Sequence, residues 1–155
     1  RAVLVPAVHS VGGQTIIAQP RGTSFSNMMR RRLQQKQTSN VKCSGYTYEV
    51  DTVGFDGQVA TETIPVAGVG SLGSEEGLSA FTALPARLPG LRIIGVGVTE
   101  AGIYLGSPSM AALYGFLSTV VVPRTKVSVI NTDNVPANGD TIASIVRDLA
   151  EADFA

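Results

Sequence analysis

The chain has 155 residues, about one domain's worth, and at 44% hydrophobic and 15% charged it can bury a core, which excludes a disordered chain. Lys and Arg number 12 and Asp and Glu number 12, and the formal net charge of zero excludes a global electrostatic draw toward nucleic acid or membrane. The single cysteine, Cys43, excludes an intramolecular disulfide, the single histidine excludes a His-rich metal site, and runs such as FLSTVVV are too short to span a bilayer. Cysteine usage points to a reducing, cytoplasmic setting. The chain opens on Arg1 with neither Met nor a signal peptide, which reads as an internal or incomplete piece of something longer.

In chain order, AVLVPAV reads as a first buried strand interrupted by Pro6, and TIIAQP as a second short strand. SFSNMMRRRLQQKQ reads as a helix, with Ser24 or Ser26 as cap and Met28, Met29 and Leu33 as its apolar side. YTYEV alternates as a strand, and Asp56-Gly57 in FDGQV marks a hairpin turn. GVGSLG, Gly68 to Gly73, fits the three-glycine dinucleotide pattern before a helix of roughly Glu75 to Leu84. Glu100 could then serve as the ribose-binding acid. Against this, Pro65 removes a ladder donor from the preceding strand, and Gly73 to Glu100 exceeds the usual spacing of about 20 residues. A flexible glycine-rich connection is the favoured reading, with a nucleotide-binding module using GVGSLG as the weaker one.

LRIIGVGVTE is apolar almost to its end, as a strand covered on both faces would be. MAALYGFLSTV reads as a helix, KVSVINT as another buried strand, and TIASIVRDLAEADF as a closing amphipathic helix. Buried strands alternating with helices imply an α/β fold: a Rossmann-like domain, mainly parallel, with flanking helices, atypical or incomplete at its N-terminus, over residues 1–155. VGVTEAGIY and SVINTDNVPANGD each put polar groups just after a strand, at the carboxyl edge where open α/β sheets bind ligands. In the second, Asp133 or Asn134 can bond nearby amides, Pro136 sets a turn, Asn138-Gly139 supplies left-handed residues, and Asp140 or Thr141 caps the last helix. The bland reading of that segment is a well-built strand-to-helix turn.

A strand ending Val-Thr-Glu, a helix containing GFL and a strand ending Asp-Asn-x-Pro-x-Asn-Gly together resemble the mannitol dehydrogenase family of polyol and uronate dehydrogenases. The likeness is best from Leu91 to Ala155 and fainter through TIIAQPRG, MMRRRLQQKQ and GYTYEV; the Asp-Asn-x-Pro-x-Asn-Gly motif is its specific part. The resemblance implies a cofactor domain for NAD or NADP, with a polyol or keto-sugar as substrate. It implies that Asn134 lies beside the nicotinamide and polarises the substrate carbonyl. It also implies that Asp133 and Asn138 shape that turn and that Val98, Thr99 and Glu100 line the cofactor cleft. Arg21 would stand where the ribose or its 2′-phosphate is read, or be a solvated loop arginine.

Departures from the family pattern are specific. Where the family's first strand enters a glycine-rich turn and Phe-His-Arg, VPAVHS matches only at Ala7 and His9. Too few residues separate AVLVPAV from TIIAQP for a crossover helix, which needs about a dozen, so either the strands pair differently or a helix is missing. The family's Glu-x-Gly-Tyr becomes Glu100-Ala101-Gly102-Ile103-Tyr104, and nothing matches its lysine, asparagine and histidine motif. The expectation is therefore the cofactor-binding portion of an NAD(P)-dependent oxidoreductase, with a partner domain or subunit covering the cleft. The alternative is a non-catalytic structural or interaction subunit of the same ancestry.

Of the smaller features, Arg30, Arg31, Arg32 and Lys36 read as a solvated helix face ahead of a site for phosphate or anionic lipid. His9 reads as structural ahead of a catalytic base. Cys43 beside Lys42 has no partner in sequence for catalysis, and Ser71 lacks the spacing of a nucleophile elbow.

Overall fold

The computed structural model describes residues 4–37, 45–120 and 126–154. It is mixed α/β with three two-stranded sheets, two of them parallel, and flanking helices. The chain divides into two compact units, Arg1–Ser71 and Leu72–Ala155.

In the first unit, α1 (Leu4–Ser10) is followed by β1 (Ile16–Gln19), α2 (Ser24–Gln37), β2 (Tyr46–Val53), β3 (Val59–Val66) and β4 (Gly68–Ser71). The expected first strand AVLVPAV is thus a helix over its described part. Pro6 is the third residue of α1, inside the first turn, where backbone N–H groups have no partner in the helix. At the other end, Gly12 N donates to His9 O (2.9 Å), Gly13 N to Val8 O (2.9 Å), and Gly12 has φ +77°, the hydrogen-bond pattern of a Schellman stop. A Cβ on Gly13 would stand 2.8 Å from the Val8 carbonyl oxygen, so only glycine fits.

GVGSLG is neither a phosphate loop nor a slack connection. Gly68–Ser71 is a strand, parallel to β1 in the register Ile16↔Gly68 to Gln19↔Ser71. Ala67 N donates to Thr15 O (2.8 Å) as the chain enters that pairing. The Ser71 hydroxyl bonds the Gly22 carbonyl. The crossover between the two parallel strands is made by α2 and a hairpin, so no helix is wanting between α1 and β1: the strands pair differently from the Rossmann expectation.

The β2–β3 hairpin turns at Asp56-Gly57 as expected, with Gly57 at φ +78° and the Asp56 carboxylate accepting from Gln58 N (3.1 Å). Gly54 N donates to the directly opposed Gln58 O (2.8 Å), which marks a hydrogen-bonded pair. Bonded and non-bonded pairs alternate along an antiparallel ladder, so counting back from there puts Thr47↔Pro65 on a non-bonded pair. The missing Pro65 N–H therefore faces outward and costs the hairpin nothing. In α2, Thr23 rather than Ser24 or Ser26 holds the cap position: its carbonyl accepts from Asn27 N (2.8 Å) and from Ser26 Oγ (3.0 Å). Met29 is buried with Val5, Ile17, Ile64 and Val66, whereas Met28 faces out. Leu33, Arg32, Lys36, Lys42 and Cys43 carry expectations on side chains that lie outside the described residues.

In the second unit, α3 (Glu75–Thr82) and α4 (Leu84–Arg87) precede β5 (Ile93–Val96), a 3-10 turn (Glu100–Gly102), α5 (Pro108–Val120), β6 (Ser128–Asn131) and α6 (Asn138–Asp153). Ser74 caps α3, its hydroxyl accepting from Gly77 N (3.1 Å), and Glu75 and Glu76 add charge of the favourable sign to the first turn. Ser107 caps α5 from a buried position: its Oγ donates to Gly102 O (2.8 Å) and accepts from Met110 N (3.1 Å). Met110, Leu113, Val96, Ile103, Ile142 and Ile145 make the core under the sheet. β5 and β6 are parallel, Ile93↔Ser128 to Val96↔Asn131. They are not covered on both faces as their composition implies: Ile93 is 50% exposed, Ile130 40% and Val129 39%. The last helix starts earlier than Asp140 or Thr141, at Asn138, and its left-handed residue is Ala137 (φ 52°) rather than Asn138 or Gly139.

The middle of α5 is tied to the end of α6 by Tyr114, whose O–H donates to an Asp153 carboxylate oxygen (2.6 Å). That bond requires the protonated phenol, and with lesser help from desolvation and the nearby negative charge it raises the tyrosine above its ordinary value of 10.0. A pKa higher in the folded than in the unfolded chain means stability that is complete below the ordinary tyrosine value and lost as pH rises through the folded one. The urea midpoint of the wild type should exceed that of Tyr114→Phe at neutral pH, and the gap should close above the ordinary tyrosine range. A gap unchanged by alkaline pH would remove the bond from the account.

Candidate functional site: the carboxyl edge of the second unit's parallel pair

Because Val96 pairs with Asn131, β5 and β6 end level with each other. Thr132 locks the exit, its N (2.9 Å) and its Oγ1 (3.3 Å) both donating to Val96 O. Gly97 passes so near that a Cβ there would lie 3.0 Å from Thr132 Oγ1. The two chain segments therefore leave the sheet side by side, at the end where parallel α/β sheets collect their functional groups.

On the β5 side, Val98 is half-buried and packs on the core, while Thr99 and Glu100 are exposed. Thr99 is extended (φ −68°, ψ 165°), and its carbonyl accepts from Gly102 N (2.7 Å) to start the 3-10 turn. On the β6 side, Asn131 Oδ1 accepts from Asp133 N (3.0 Å), and Asp133 Oδ1 from Asn134 N (3.0 Å). The Asp133 carbonyl accepts from Asn138 Nδ2 (2.8 Å). Two short-range bonds thus fix the start of the Asp-Asn-x-Pro-x-Asn-Gly turn, and a third ties it to the first residue of α6. Ala137, the one non-glycine with positive φ among the described residues, carries the strain of that closure.

Six of the expected residues, Val98, Thr99, Glu100, Asp133, Asn134 and Asn138, come together on this edge. Arg21 belongs to the first unit, exposed just past the end of β1, with its carbonyl accepting from Gln19 Nε2 (2.7 Å). His9 is exposed on α1. Asn131 was not expected: its Nδ2 is buried and makes no hydrogen bond to a described residue. Its signal is modest, a polar residue closing an otherwise apolar strand. Asn134 is exposed with its backbone held and its carboxamide turned to no described partner.

Charge decides what such an edge can hold. Glu100, Asp133 and Asp140, the last in the first turn of α6, are all acidic, and none of these loop positions is Lys or Arg. A helix N-terminus attracts anions, but carboxylates already placed at it oppose a pyrophosphate. Carboxylate acceptors and carboxamide donors suit sugar hydroxyls, amides and carbonyl oxygens instead. Among the described residues no group of three or more His, Cys, Asp or Glu is placed to hold a metal ion, and no helix is long and apolar enough to cross a membrane. No family model, no curated protein and no solved structure matches the chain.

The Asn138 carboxamide is the clasp of the turn. Asn138→Ala should lower stability by about 1 kcal/mol, the worth of one such bond, as read by urea denaturation. No change in the midpoint would mean that the turn is held by its backbone alone.

Proposed function

We propose that this chain is the nicotinamide-cofactor portion of an NAD(P)-dependent oxidoreductase acting on a polyol or sugar acid. A single observation carries the reading: the loops after β5 and β6 leave one edge side by side, with Asn134 presented there by a fixed turn. When bound, the cofactor supplies a hydride for a keto-sugar carbon. Asn134 donates its carboxamide N–H to the carbonyl oxygen, where negative charge grows as the hydride arrives. Glu100 and Asp133 accept from sugar or ribose hydroxyls, and Val98 offers an apolar wall to the nicotinamide ring. The edge suits the nicotinamide riboside half of the cofactor and, lacking a cation, not its pyrophosphate. Gly68–Ser71 cannot supply that phosphate site as a loop, because it is a strand of the β1–β4 pair.

A second reading, a non-catalytic interaction subunit of the same ancestry, is favoured by one observation. Ile93, Val129 and Ile130 leave the β5–β6 pair partly open, which suits a covering partner.

Calorimetric titration of the chain with NADH and then NADPH separates the two. The cofactor reading expects binding of one of them, weakened about fivefold by Asn134→Ala, the loss of one neutral hydrogen bond to the adjoining nicotinamide. Gly70→Ala should leave it unchanged, since a Cβ at Gly70 meets nothing within 4 Å. No heat with either nucleotide would favour the interaction subunit, and loss of binding on Gly70→Ala would move the site to the first unit.

A further inference from the structure

The β2–β3 hairpin is anchored at its base only. Tyr46, Tyr48 and Val50 pack with buried Ile64 and Val66, but every residue from Asp51 to Thr61 is exposed. A two-stranded arm without a third strand is marginal in water, and this one also carries a bare apolar tip. Val53 (68% exposed) and Val59 (61%) oppose each other on one face, and Phe55 in the turn is wholly exposed. Glu49 and Asp51 alternate with Val53, so they share that outer face. The opposite face is the one that meets Phe25 and Met29 of α2.

Charge along the chain is segregated around this arm. From Arg1 to Lys42 the ionisable side chains are basic or histidine, with no Asp or Glu; from Cys43 to Ala86 they are acidic, with no Lys or Arg. Arg30 and Arg31 on α2 are exposed, and no ion pair joins them to the hairpin carboxylates among the described residues. Since α2 packs beneath the hairpin, the carboxylates of the outer face point away from their own arginines. Asp51 accepts from Thr61 Oγ1 (2.7 Å) within the arm, and among the described residues no cation meets either carboxylate, which leaves both open to a basic surface.

We propose that the hairpin arm docks on α2 of a second copy of this chain. A twofold axis then makes the contact twice, each acidic, apolar-tipped arm lying on the partner's Arg30 and Arg31. Strand addition is the poorer alternative. Outward-facing Pro65 offers no donor on the β3 edge, and pairing β2 with another β2 would bring carboxylates against carboxylates. Lying across a helix avoids both. This association is independent of the cofactor edge, and cofactor binding could fail without touching it.

Sedimentation velocity over a range of chain concentrations, at low and high salt, tests it. The wild type should form a reversible dimer that weakens as salt rises. Phe55→Ser, at an exposed tip that the fold does not need, should weaken the dimer by at least about tenfold. Two reversed chains, Glu49→Lys with Asp51→Lys and Arg30→Glu with Arg31→Glu, should each be monomeric alone and form a heterodimer when mixed. A wild type that stays monomeric at low salt overturns the proposal, even if the arm captures some unrelated basic protein. So does a dimer indifferent to both Phe55→Ser and the reversed charges.

Discussion

Two parallel strands side by side cannot be joined by a tight turn, and each parallel pair here depends on a long crossover that returns the chain to the same end of the sheet. Between β5 and β6 that crossover is the 3-10 turn and α5, started by buried Ser107 and seated on Met110 and Leu113. Between β1 and β4 it is α2 and the hairpin, which explains why so much of the first unit lies between two four-residue strands. The level ending of Val96 and Asn131 follows from the second crossover, and the edge with its six polar and lining residues follows from that ending.

The chemistry of that edge narrows what it can be for. Parallel sheets commonly meet an anionic cofactor with glycine amides or a cation at a helix start. Here the helix start carries Asp140, and the preceding turn spends the Asp133 carboxylate on a backbone amide. What remains without a partner among the described residues is hydrogen-bonding capacity of neutral or negative character: the Asn134 carboxamide, the buried Nδ2 of Asn131 and exposed Glu100. Ala137 in a left-handed conformation indicates that the turn holds its shape at a cost.

Much of this was legible in the residues, and the failures have physical causes. Helices α2, α5 and α6 announce themselves by periodicity, and Asp56-Gly57 by the φ > 0 that its turn demands. The shared edge of the two loops is legible because polar residues directly after an apolar strand mark its carboxyl end. The sequence of α1 is ambiguous because a short apolar run looks alike as strand or helix; the Gly12-Gly13 stop, which decides the matter, lies beyond it. Three glycines suggest a loop at β4, yet a Cβ at Gly68 would make only ordinary contact with Ile16 and one at Gly70 would meet nothing, so the strand accepts glycine without requiring it. The start of α6 was placed late because Asp140 and Thr141 are good caps in isolation, whereas Asn138 Nδ2 had already tied the turn to Asp133 O. Neither Tyr114–Asp153 nor the solvent-borne arm could be read at all, since each depends on which faces the tertiary packing leaves open.

Backbone amide resonances followed while NADH is added show whether the carboxyl edge of β5 and β6 holds the cofactor. Binding there shifts only Val98–Glu100 and the 131–138 turn and leaves Gly68–Ser71 undisturbed. Shifts centred on Gly68–Ser71, or none anywhere in the spectrum, would contradict it.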